Sequence, residues 1–155
     1  MNMKNLHHHL AEVDNTFCRV NCGGCACVAA MIAKRFRHQF PIMRITSSGT
    51  DCPTDLDEIR HHLDDTMDKD EWYDNGIYFN HVWVEVFFDN AWHVLDAEGV
   101  HTTEDMYADW SKPADGSFSI DEIQSLADTD SWNRAFDHDQ LPAIEEMINN
   151  IPLEV

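Results

Sequence analysis

The chain has 155 residues, 43% of them hydrophobic, which is enough for one domain with a buried core and excludes wholesale disorder. Twenty-nine acidic residues stand against ten basic ones, a formal net charge of −19, and such a surface repels phosphate backbones and anionic lipid, so neither nucleic acid nor membrane is an expected partner. No apolar run approaches the roughly 18 residues that span a bilayer, and "MNMKNLHHHLAEVDNTF" at the N-terminus has no apolar signal core. In chain order, residues 1–15 read as a polar, histidine-rich arm or a short helix. A helix is predicted from Cys25 to about Gln39, with Cys25, Val28, Ala29, Ile32 and Phe36 on one stripe and an apolar first half, so it should be central and buried. Lys34, Arg35, Arg37 and His38 suit its negative C-terminal end, and Pro41 stops it.

"IMRIT" (42–46) reads as a short strand closed by Ser47, Ser48 and Gly49. "PTDLDEIRHHLDD" (53–65) reads as an exposed acidic helix capped at Thr54, followed by a charged loop to Asn75. In "YFNHVWVEVFFDNAWHVLD" two β-rich runs flank Asp89-Asn90, the signature of a hairpin. Beyond Gly99 the chain reads as helical, over 102–110, over 119–127 with a Ser119…Glu122 capping box, and over 141–151 with a proline near its start. The pattern is that of an α+β protein of one domain, residues 1–155, without repeats.

The hairpin carries the chemistry. If Asp89-Asn90 is a two-residue loop, Phe88 pairs with Ala91, His81 faces Glu98 and Trp83 faces Asp96. His81, Trp83, Asp96 and Glu98 then share one sheet face, with His81 and Asp96 as diagonal neighbours roughly 7–8 Å apart. A three-residue loop would reverse the parity. The other face would carry Val82, Val84, Val86, Phe88 and Leu95 as core, with His93 structural. Cys25 stands at a helix N-terminus, where the dipole and an adjacent imidazolium favour the thiolate. A histidine passing protons needs a carboxylate on its second nitrogen, Gly23-Gly24 would admit a substrate carbonyl, and the Cys25 amide could bind its oxyanion.

"GGCACVAAMIAKRF…PIMRITSSG" followed by "HVWVEVFFDNAWHVLDAEG" resembles the transglutaminase-like cysteine enzyme superfamily, a relative of papain-like peptidases at the level of fold. The resemblance covers roughly residues 21–99. It implies a papain/transglutaminase-like core over 16–100, with a central N-terminal helix packed on a small antiparallel sheet and a helical extension over 101–155. It places the nucleophile at Cys25, the base at His81, its orienter at Asp96 and the basic strand position at Arg44. What it implies for activity is a thioester formed at Cys25 from a peptide or isopeptide-like amide, resolved by water in a peptidase, amidase or protein-glutamine deamidase, or by an amine in protein-glutamine cross-linking. No cofactor and no calcium follow from it, and the partner would be a protein or peptide substrate.

Each site residue has rivals. Cys22 and Cys27 are the next candidates for the nucleophile, and Glu98 and Glu85 compete with Asp96, strict cross-strand pairing favouring Glu98. Glu85 is expected to meet water or Arg44. Asn21 and Gly24 are candidates for the oxyanion and substrate positions, and Trp83 for shielding the His–Asp pair. Cys18, Cys22, Cys25 and Cys27 also supply four thiols, but they are bunched and run into a helix, unlike the paired knuckles of structural zinc, so no metal site is expected. The five cysteines, Cys52 among them, are odd in number and make a poor disulfide framework, and a reducing cytoplasm is the expected location. A third reading is a non-catalytic acidic interaction module.

Overall fold

Residues 2–20, 24–48, 81–110, 117–127 and 136–153 are described by the computed structural model. Asn21, Cys22, Gly23, Cys52, the expected helix 53–65, the loop to Asn75 and the run preceding His81 lie outside the described residues.

The histidine-rich arm is a helix, α1 (Met3–Thr16). Asn2 caps it, its Oδ1 accepting the amide hydrogens of Lys4 and Asn5 at 3.0 and 3.3 Å. Leu6, Leu10 and Val13, spaced four and three apart, form its buried stripe. Helix α2 (Cys25–Phe36) buries Ala26 to Ala30, Ile32, Ala33 and Phe36, the nearly all-round burial that its apolar first half predicts. It ends at Phe36, and a turn in which Gln39 donates to the Phe36 carbonyl leads on toward Pro41.

Four antiparallel strands follow in the spatial order of the chain: β1 (Met43–Ser48), β2 (His81–Phe88), β3 (Ala91–Asp96) and β4 (Gly99–Thr102). Asp89 and Asn90 both take positive φ, 53° and 61°, the left-handed pair that a two-residue hairpin turn requires. Phe88 therefore pairs with Ala91 and Val84 with Leu95, the parity expected for the shorter loop. The stretch after Gly99 departs from expectation. It is a fourth strand rather than helix, because Gly99 adopts φ +130° and lets the chain turn back at Ala97-Glu98 into a pairing of Asp96 with Gly99. A side chain at Gly99 would collide with the His7 ring, so this glycine also lets α1 lie close on β4.

Helix resumes at α3 (Thr103–Trp110), α4 (Ile120–Ala127) and α5 (Leu141–Asn149). The Ser119 hydroxyl accepts from the Glu122 amide at 3.0 Å and the Glu122 carboxylate accepts from the Ser119 amide at 2.9 Å, the reciprocal box read from the sequence. The fold is α+β, with an N-terminal helix, a small antiparallel sheet and C-terminal helices. One sheet face presents Ile45, Val82, Val84, Val86 and Leu95 to a core that includes α2 and residues of α1, α4 and α5. The alternate face carries Trp83 and Val94, which pack with Met106 and Tyr107 of α3. Among the described residues no helix is long and apolar enough to cross a membrane.

Candidate functional site

Period-two alternation along β2 puts His81, Trp83 and Glu85 on the α3 side of the sheet. Asp96 of β3 and His101 of β4 join them there, since His101 pairs with Val94. His81 Nε2 donates to Asp96 Oδ2 at 2.9 Å, so the diagonal neighbour, not Glu98, which lies in the turn after β3, meets the ring. The other oxygen, Oδ1, accepts from His101 Nε2 at 2.9 Å and from the Glu98 amide at 2.9 Å. His81 and Asp96 are 1% and 3% exposed, and the Trp83 ring lies 5.6 Å from that of His81, closing it off from water.

Burial without a counter-charge would neutralise these groups, and their mutual bonding reverses that outcome. Burial opposes the charge on His81, but the Asp96 hydrogen bond, then a hydrogen bond and charge from Cys25, raise its pKa to about 9. Burial likewise works against charge on Asp96, and the bonds from His101 and then His81 overcome it, lowering the pKa to about 2. His101 is raised chiefly by its hydrogen bond to Asp96. At neutral pH the centre is an ionised Asp96 bonded to an imidazolium at His81, with His101 biased toward its charged form by the same carboxylate.

A second buried carboxylate lies on the same face. Glu85 accepts from Arg44 Nε at 2.6 Å, from Trp83 Nε1 at 3.0 Å and from the Tyr107 hydroxyl at 2.7 Å. It meets Arg44, one of the two fates expected for it. The Arg44 guanidinium also stacks on Trp92, 4.8 Å from the ring centroid.

The thiol-centred reading is corrected here. Among the described residues, the hydrogen bonds and ion pairs that converge on Asp96 come from nitrogen, in a His81–Asp96–His101 cluster with Glu98 at its margin, and no sulfur is among them. Helix α2 packs its apolar residues on the Val82–Val84–Val86 face, the side of the sheet opposite to that of the cluster. Cys25, half-buried in its first turn, adds a hydrogen bond and charge to His81 but does not bond Asp96, Cys27 is buried in the core and Cys18 is exposed. The Cys25–His81–Asp96 triad, the cysteine hydrolase or acyltransferase built on it and the peptidase reading therefore give way to an imidazole–carboxylate centre whose margin offers metal ligands.

The neighbouring candidates change roles too. Gly24 does not make room for substrate: a Cβ there would stand 2.6 Å from the Val20 carbonyl and 3.1 Å from the Phe136 ring, and its amide donates to Val20 at 2.8 Å. It is a packing glycine. Trp83 covers His81 and anchors Glu85, and Glu98 is exposed, reaching Asp96 through its backbone. His93, half-buried, approaches the Phe88 carbonyl at 3.2 Å. His101 is the residue sequence reading missed. Its signal was the continued alternation of "GVHT" after a turn at Ala97-Glu98.

One carboxylate oxygen from each of Asp96 and Glu98 and one ring nitrogen of His101 all lie within 4.8 Å of one another, with Asp96 buried, His101 half-buried and Glu98 exposed. This is a three-donor set open on one side.

Compared with known proteins, the chain matches no family model, no curated protein and no solved structure.

Proposed function

We propose that the protein is a strongly acidic, non-catalytic binding module on a transglutaminase-like framework, and that Asp96, Glu98 and His101 bind a divalent metal ion of the zinc class. Support for the framework lies in the order of its parts: a helix opened by Cys25, a strand bearing Arg44, then His81 and Asp96 on adjoining strands. The metal reading rests on one observation, the convergence of two carboxylates and an imidazole within 4.8 Å. A mixed N/O set suits zinc and its neighbours in the first transition row. Donors around such an ion stand roughly 3–3.5 Å apart. The 2.9 Å contact between Asp96 and His101 must therefore open slightly, and the proton it holds must leave as the metal takes its place. His81, bonded to the far oxygen of Asp96, would hold that carboxylate in position.

Zinc-dependent stabilisation tests the reading. At a free concentration one hundred times its dissociation constant, zinc should stabilise the wild-type chain by about 2.7 kcal/mol in a denaturant titration. His101→Ala and Glu98→Gln should lose most of that gain, and Cys25→Ala should keep it. Equal stabilisation of wild type and His101→Ala, or its loss in Cys25→Ala, would overturn the assignment.

A further inference from the structure

Between α1 and α5 lies a cavity of about 510 Å³ that the metal centre does not use. Both helices spend their apolar stripes on the common core, α1 through Leu6, Leu10 and Val13, and α5 through Ile144 and Ile148. Near the C-terminal end of α1 they leave a recess between them. Its floor is apolar, formed by half-buried Phe17 and Met147 with Ala143 beside them, and exposed Glu12 and Glu146 rim it from opposite helices, with His9 at the border.

We propose that this recess is a binding site for a small organic cation, an ammonium group carried on an apolar body. The volume falls within the roughly 300–1,000 Å³ typical of small-molecule pockets. The floor offers what an apolar body needs: an aromatic ring, and a methionine whose unbranched side chain adapts to irregular shapes. The rim selects the sign of the head group. Two glutamates, one from each helix, line the recess beside its apolar floor and attract a cation, and the formal charge of −19 on the whole chain adds to that attraction and repels an anion. Phe17 lines the recess with an aromatic ring, a group to which an ammonium is also drawn. A neutral apolar ligand would use the floor alone, and its affinity should be lower by the contribution of the rim.

The test is an NMR titration of the full chain with hexylammonium, hexanol and hexanoate, following the methyl groups of Met147 and Ala143. Hexylammonium should shift both methyls saturably, and hexanol should bind about fivefold more weakly, the worth of two exposed charge contacts. Hexanoate should leave the methyls unmoved. In the Glu12→Gln/Glu146→Gln double variant, hexylammonium should fall to the affinity of hexanol while hexanol is unchanged. Both substitutions are at exposed positions, so the fold should survive them. Equal affinity for the amine and the alcohol, insensitivity to the double substitution, or methyls that do not move with any probe would each overturn the proposal.

Discussion

Glu85 and Asp96 pose the same physical problem on the same face of one sheet, a carboxylate almost wholly removed from water. The chain solves it in two ways. Glu85 is met by a guanidinium, an indole N–H and a phenol, donors whose protonation does not change near neutral pH. Asp96 is met by two imidazoles, whose protons can leave or be replaced by a metal. The Glu85 cluster is accordingly suited to hold β1, β2 and α3 together, with Arg44, Trp83 and Tyr107 each drawn from a different element. The Asp96 cluster opens toward solvent through half-buried His101 and exposed Glu98, and its composition can change with conditions. Burial of a charge does not by itself mark a functional site. The lability of its partners does.

That contrast can be broken experimentally. Glu85→Ala should show the largest effect, about 3–5 kcal/mol of lost stability in urea unfolding, because Arg44 and the buried Trp83 N–H lose their common acceptor. A loss below about 1 kcal/mol would mean the cluster is not structural. Asp96→Asn should cost somewhat less at pH 7, about 2–4 kcal/mol, since one of the two stranded rings, His101, can still reach water. It should also abolish the response to zinc.

The two clusters should part company with pH. In the metal-free protein the folded-state pKa of Asp96 is about 2, below its ordinary 3.8, so its contribution is present above 3.8 and is lost as pH falls toward 2. That of His81 is about 9, above its ordinary 6.5, so its contribution is complete below 6.5 and is lost as pH rises toward 9. Tyr107, beside Glu85, is pushed up to about 12 by burial and then by its bond to that carboxylate, so its contribution is lost only between pH 10 and 12. Stability measured across pH 6–9 should thus decline in the wild type and be flatter in Asp96→Asn. A decline of the same steepness in both would separate His81 from Asp96 energetically. Gly99→Ala should give the smallest effect of the set, about 1–3 kcal/mol, from a side chain forced into positive φ and against His7. Because β4 carries His101, it should weaken zinc binding while leaving the Glu85 cluster intact, which changes in Tyr107 fluorescence or NMR shifts would report.

Much of the framework was legible before any coordinates. The Asp89-Asn90 turn, the Ser119–Glu122 box and the stripe of α2 are short-range features, each decided by residues within a few positions of one another. The diagonal meeting of His81 and Asp96 followed from the turn by parity. β4 escaped notice because four residues carry little periodic signal and Gly99 reads equally well as the end of a sheet. His101 was missed with it. Gly24 was misread because its partner, Phe136, is 112 positions away, and no local pattern announces such a contact. The cysteine received a catalytic role because its flanking glycines and the hairpin histidine fit a familiar order, although order along a chain does not specify which groups meet the buried carboxylate.

The amino-acid sequence alone determined the hairpin turn, the course of α2 and which side chains share a face of the hairpin, because those outcomes follow from dihedral preferences and a short repeat period. Only the tertiary structure decided what surrounds Asp96. Its second imidazole arrives on another strand, and the face that α2 covers is chosen by burial of hydrocarbon from one end of the chain to the other. Such long-range packing depends on shape and area rather than on any local motif, and it made a nitrogen-bonded carboxylate, not a thiol, the centre of the site.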